Sequence, residues 1–328
     1  MKRRRFLKRT SVSLAAAGLG GSLYAAGKMI WYNMPEFVGN PFDDIHTLEL
    51  GDVEKPIKVH AISTGSLKVK ASHRMLKWPA ALRFPRILMD SQWTEPLPVH
   101  CWVVEHPEGN FLIDTGEQIA FNDPDYFSCD PVTGGINRRI IALQIEKEQE
   151  IVGQLAKIDL TPGQIDHVIL THLHIDHVDG LHYFKNAQIW VSDTEYARPY
   201  GAVMCKLPSW LSPNQIKYET TNTLSFGSYH ATTQSEDLII VPTPGHTHGH
   251  QSVLLRAKDF DIMFAGDVTF SQDQLLNRKL AGIAVDLKKS KASIAQVLEH
   301  AQDKPCIYLP SHDPLSAQRL INKEFIYR

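Results

Sequence analysis

Residues 171–180, THLHIDHVDG, hold three histidines and two aspartates directly after the apolar run HVIL. One histidine in such a setting is ordinarily a satisfied core residue, but three beside carboxylates make the donor set of a metal site. His172 and His174 alternate, so in an extended segment both imidazoles face one way, and Asp176 and His177 follow with a second set. Three more candidate ligands end later apolar runs: His246 in TPGHTHGH, Asp267 in FAGDVTF and His312 in LPSHDP. Each stands beside Gly, Pro or Ser, where the chain opens into a loop that a rigid scaffold can hold. Nitrogen and oxygen donors of this kind suit Zn²⁺, with Fe, Mn or Co as alternatives, and their number exceeds what one tetrahedral ion takes. Two ions per chain fit better, and a pair ~3.5–4 Å apart can hold a hydroxide at neutral pH and polarise the bond it attacks. His182, His248 and His250 lie close by and are expected to support ligands.

Placing these residues needs strands that stop where the ligands begin. Apolar or alternating runs predict strands over 58–69, 99–106 and 110–116, with PEGN as a hairpin turn between the last two. Apolar residues at roughly helical intervals predict an amphipathic helix over 137–158, and Pro162 opens a capped turn before a short strand into the histidine cluster. Further strands are expected at 188–192, 238–245, 252–257, 261–267 and 306–310, with a helix over 290–302. The alternation of strands and helices in both halves gives an α/β (α+β) class. Between the first two strands lies an irregular stretch rich in Trp, Phe, Leu and Pro, which either packs in a core or shapes a pocket.

The chain has 328 residues, 43% hydrophobic and 21% charged, which is ample for a layered core. A net charge of -2 and a pI near 6.8 lack the Lys and Arg excess that nucleic-acid binding normally shows. Cys101, Cys129, Cys205 and Cys306 have no CxxC spacing, which argues against a cysteine zinc site or redox motif. Residues 1–32 read as an address: a basic head, a run rich in Ala, Gly and Ser, and RRRFLK, which resembles the twin-arginine export signal. That resemblance implies the twin-arginine machinery as a partner and a periplasmic location, with an uncleaved N-terminal anchor as the alternative. Residues 33–57 then form a linker and 58–328 one catalytic domain. An exported location would permit disulfides, which the sequence cannot pair.

HLHIDH resembles the HxHxDH signature of the metallo-β-lactamase superfamily, and His246, Asp267 and His312 follow in that superfamily's order. Four segments, LPVHCWVVEHPEGNFLIDTG, THLHIDHVDG, TPGHTHGHQS and SHDP, resemble those of N-acyl homoserine lactonases, so the likeness spans most of the chain after residue 58. It implies a four-layer αββα sandwich with metals at one edge of the sheets. It also implies His172, His174 and His246 on one metal, Asp176, His177 and His312 on the other, and Asp267 between them. The implied reaction is lactone opening by a metal-bridging hydroxide, with Asp176 shuttling a proton and no organic cofactor. Asp267, where the principal class of zinc β-lactamases carries cysteine, counts against antibiotic hydrolysis.

One position departs from the lactonases. They carry a tyrosine, implicated in contacting the substrate carbonyl, where this chain has Phe270; losing a full oxyanion donor would cost ~10²–10³ in rate. Phe270, Trp78, Phe84 and Trp93 are the expected substrate-pocket residues, with ordinary core or a homodimer contact as alternatives for the tryptophan-rich stretch. The small-molecule substrate is a lactone, or alternatively a phosphotriester, phosphodiester or other ester. An iron oxygenase or persulfide enzyme on the same scaffold, and a metal-stabilised binding protein, are the competing classes.

Overall fold

The apolar runs become two sheets packed face to face in the computed structural model, which describes residues 35–37, 42–51, 56–221 and 223–327. The first sheet contains β1 (His46–Leu50), β2 (Ile57–Val69), β3 (Leu97–His106), β4 (Gly109–Ile113), β5 (Ile141–Gln144), β6 (His167–Ile169), β7 (Gln188–Ser192) and β8 (Asn214–Ile216). Its order is β1-β2-β3-β4-β6-β7-β8, with β5 also on β2. The second contains β9 (Glu219–Thr220), β10 (Ser228–Ala231), β11 (Leu238–Pro242), β12 (Gln251–Arg256), β13 (Asp261–Gly266) and β14 (Cys306–Pro310), in the order β14-β13-β12-β11-β10-β9. The helices are α1 (Ala71–Arg74), α2 (Arg83–Met89), α3 (Pro131–Ile140), α4 (Ile151–Ala156), α5 (Ile175–Val178), α6 (Asp193–Ala197), α7 (Gln272–Leu276), α8 (Leu287–Asp303) and α9 (Ser316–Asn322).

Consecutive strand residues point to opposite faces, and here both faces are buried, which is why the strands read as continuous apolar runs. Ala61, Trp102, Phe111, Ile240, Val253 and Phe264 meet in the core between the sheets. Their sequence neighbours Ile62, Val103 and Leu112 turn outward onto Ile151 and Leu155 of α4. Ile239, Leu254 and Met263 turn outward onto Ile294, Val297 and Leu298 of α8. The result is the four-layer αββα sandwich. The Asp286 side chain starts α8 by accepting from the backbone N–H groups of Lys288 and Lys289, each at 3.0 Å.

Two expectations are corrected. The helix over 137–158 does not exist as one element: α3 stops at Ile140, residues 141–144 form β5, and α4 starts at Ile151. Ile141 and Leu143 sit opposite Val69 and Leu67 of β2, and this pairing with a free strand edge outweighs the local helical spacing. The segment 33–57 is not wholly linker either, because His46–Leu50 pairs antiparallel with β2 along its full length and Leu48 enters the inter-sheet core. The proposed export signal lies outside the described residues, and among those described no helix is long and apolar enough to cross a membrane.

Cys129 and Cys205, 76 residues apart, form a disulfide with a Cα–Cα separation of 6.2 Å. It ties the turn entering α3 to the loop after α6. Cys101 and Cys306 are buried free thiols. Replacing both Cys129 and Cys205 with Ser should lower unfolding stability by about 2–4 kcal/mol, because the unfolded chain regains a long loop. Denaturant unfolding under oxidising conditions checks this, and reducing agent should bring the wild type to the same value.

Candidate active site

The site is built where strands end, and a carboxylate that binds no ligand atom of its own organises it. Asp114 follows β4 with φ +58°, almost fully buried. Its Oδ1 accepts from the Thr171 N–H at 2.8 Å, and its Oδ2 accepts from Thr171 Oγ1 at 2.8 Å and from His177 Nδ1 at 2.7 Å. Thr115 N–H donates to the His177 carbonyl at 2.8 Å. Gly116 must be glycine here, since φ is +68° and an added Cβ would sit 2.1 Å from Thr64 Oγ1.

Similar bonds fix which nitrogen each histidine presents. His177, with Nδ1 spent on Asp114, offers Nε2. His172 Nδ1 donates to Thr171 Oγ1 at 3.1 Å, and His312 Nδ1 donates to the Pro98 carbonyl at 2.8 Å, so both also offer Nε2. His174 does the reverse, donating from Nε2 to the Tyr200 carbonyl at 3.2 Å and offering Nδ1. A second buried carboxylate, Glu195, joins the two histidine loops: it accepts from Leu173 N–H at 3.2 Å, Thr247 Oγ1 at 2.7 Å and Gly249 N–H at 2.9 Å. His250 donates to the Thr243 carbonyl at 3.1 Å and accepts from the Asp267 N–H at 2.9 Å, which orients that aspartate.

The presented atoms converge. His174 Nδ1 lies 3.0 Å from both His172 Nε2 and His246 Nε2. His312 Nε2 lies 3.2 Å from Asp176 Oδ2 and 3.4 Å from Asp267 Oδ1, while His246 Nε2 is 3.3 Å from Asp267 Oδ2. The seven residues form three overlapping donor groups: His172, His174 and His246; His172, His177 and Asp267; Asp176, His177 and His312. His177 Nε2 and Asp267 Oδ1 are enclosed without a hydrogen-bond partner. Lone pairs turned on one another in a buried space are what a cation resolves, so these residues fit metal ions with nitrogen and oxygen coordination.

Electrostatics agree. Burial pushes His172 and His246 well below the usual histidine range, into the neutral form that binds metal. Burial opposes a charge on His177 too, but the carboxylates of Asp114, Asp176 and Asp267 outweigh it and raise the imidazole to about 9. His312 is likewise raised against burial, by Asp267 and Asp176. The pocket between the carboxylates thus calls for positive charge, which metal binding supplies while releasing protons.

A cavity of about 480 Å³ opens onto Asp176, His174, His246, Asp267 and His312. Phe270 lines it, its ring stacked on His312 with centroids 5.4 Å apart. Phe84 lines it as well. Trp78 and Trp93 stand outside the lining: Trp78 is 41% exposed beneath the Arg86 guanidinium, and Trp93 lies under the Lys70 ammonium, 3.6 Å from its centroid. His248 meets the Tyr200 ring edge-on and His182 bonds Gln118, and neither lines the cavity. Asp114 and Glu195 escape notice in the sequence. Asp114 could have been found, since it closes an apolar strand beside glycine just as Asp267 does.

Residues 94–312 match the family model described as the metallo-beta-lactamase superfamily. The N-acyl homoserine lactonase of a Bacillus species is 29% identical over 221 residues, covering 66% of this chain and 82% of that protein. An N-acyl homoserine lactone hydrolase, solved with the product N-hexanoyl-L-homoserine at its catalytic metal centre, aligns with a TM-score of 0.64 at 21% identity, over 79% of this chain and 94% of that one. AidC, a dizinc quorum-quenching lactonase, aligns at 0.56 and 17% identity, over 83% of this chain and 92% of its own. With the match running through more than half of the sequence and the same fold beneath it, this chain belongs to the metallo-β-lactamase superfamily and is a metal-dependent hydrolase.

Proposed function

We propose that the protein opens lactone rings, with N-acyl homoserine lactones as its substrate class, and that it holds two metal ions, zinc foremost, to do so. One observation carries the reading: the donor cluster forms one wall of a cavity whose other walls are largely aliphatic and aromatic. A polar ring with a long apolar tail finds a matching surface for each part. Its relatives by sequence carry the same activity in their names. His172, His174 and His246 would hold one ion and Asp176, His177 and His312 the other, with Asp267 shared. When bound, such a pair supplies an activated water and Lewis-acid polarisation of the carbonyl.

The chain's own residues do the positioning. Asp114 keeps His177 in the tautomer that presents Nε2, and Glu195 holds the two histidine loops in register. Asp176, a carboxylate that lines the cavity, takes a proton from the attacking water and passes it to the ring oxygen as the acyl C–O bond breaks, leaving an open-chain hydroxy acid. The apolar walls receive the acyl chain and exclude water from it. We extend the proposal to location: the twin-arginine-like N-terminus directs export, and a disulfide such as Cys129–Cys205 persists in oxidising compartments.

Removing metal with a chelator should abolish opening of hexanoyl and decanoyl homoserine lactones, and zinc should restore it with a stoichiometry near two per chain by elemental analysis. Turnover that survives complete metal removal sinks the reading, and preferential turnover of phosphotriesters or phosphodiesters moves the substrate to phosphorus esters. Asp114→Asn should cost about 10–100-fold in metal affinity or activity, as loss of a ligand's hydrogen-bond partner does elsewhere. Metal titration with the circular dichroism spectrum as a folding control checks it.

A further inference from the structure

His73 is a buried histidine with nothing to bond. His60, His106, His250 and His300 spend their rings on Glu105, Asp237, Thr243 and Asp261. The ring of His73 makes no hydrogen bond among the described residues; its Nδ1 is enclosed, so Nε2 is the ring nitrogen that a molecule in the cavity can reach. Its position is nonetheless fixed. The His73 carbonyl accepts from Gly282 N–H at 2.9 Å and Ile283 N–H at 3.2 Å, and a Cβ on Gly282 would meet the Ser72 carbonyl at 1.9 Å. The imidazole meets the Phe270 ring edge-on with centroids 5.8 Å apart, and it lines the cavity among Leu67, Val69, Phe84, Ile87 and Ile283.

Burial pushes the His73 imidazole down to about 3, so at neutral pH the ring carries one N–H and one lone pair. A polar ring left without a protein partner in an apolar wall is met by water or by a ligand in the cavity. Phe270 stands between His73 and His312, touching both, so the group that His73 meets is set apart from the carbonyl attacked beside His312 and Asp267. A lactone with an acylamino substituent on its ring has a second polar group next to the reacting ester; a plain alkyl lactone has none.

We infer that His73 is a substrate-binding residue that hydrogen-bonds the amide of an acylamino lactone and so selects such substrates over alkyl lactones. This rests on the lactonase reading.

The test compares wild type, His73→Leu and His73→Gln on hexanoyl homoserine lactone and on an alkyl γ-lactone of matched length. Binding of ring-opened hexanoyl homoserine by calorimetry, metal content and melting temperature are followed alongside. The leucine variant should lose about tenfold in kcat/KM on the acylamino lactone, mainly through KM, and a similar factor in product affinity, at unchanged metal content. Its turnover of the alkyl lactone should stay within about twofold, and glutamine, which keeps an N–H donor, should recover part of the loss. Equal loss on both lactones, or no loss on either, overturns the role of His73 and leaves the lactonase reading standing. Should the leucine variant not fold, wild-type indifference between the two lactones, or a glutamine variant without any change in their ratio, overturns it instead. A wild-type protein that opens neither lactone refutes the lactonase reading, and the role of His73 with it.

Discussion

The buried carboxylate of Asp114 is the constraint on which the centre depends. It meets the backbone and hydroxyl of Thr171 and the imidazole of His177 at once, and through Thr171 it sets His172 as well. The cost of this arrangement is a non-glycine residue at positive φ and a carboxylate with almost no access to water. Charge-assisted bonds of this length offset that cost. They also convert a flexible turn after β6 into a fixed array of nitrogens. Glu195 performs the same service one loop further on, so two anions that face away from the reaction decide where the reaction can occur.

Such an array is unfavourable by itself. Three imidazole nitrogens gathered at 3.0 Å cannot all keep protons or all go without them comfortably, and the carboxylates of Asp176 and Asp267 add opposed demands. The fold tolerates the conflict because the sandwich beneath is held by large buried side chains, Trp102, Phe111 and Phe264 among them, each worth about 1.5–3 kcal/mol of burial. Stability is thus invested in the sheets and strain is confined to the edge.

Much of this was legible in the residues. The ligands stand next to apolar runs long enough to be strands, and period-two exchange between two buried faces produces the run of Leu, Ile and Val in β11 and of Ile, Met and Phe in β13. What was not legible was decided by distant partners. Residues 141–144 have helical spacing, yet a free edge on β2 claims them. His46–Leu50 is the exception: it pairs with the adjoining β2, Leu50 opposite Ile57, but Leu48 alone of HTLEL is buried, too thin an apolar signal to mark a strand. Asp114, Glu195 and His73 are single polar residues whose meaning lies wholly in what they meet across the fold. The apolar character of Trp78 and Trp93 was plain, but their side chains are taken up by Arg86 and Lys70, away from the cavity.

The donor atoms come from both sheets: residues 172–177 follow the first, while Asp267 and His312 follow β13 and β14 of the second. His312 is moreover anchored to the Pro98 carbonyl of β3, across the interface between the sheets. Neither sheet by itself therefore holds the full constellation. Tight metal binding requires both sheets to be docked, so an ion retained in the protein certifies a finished fold.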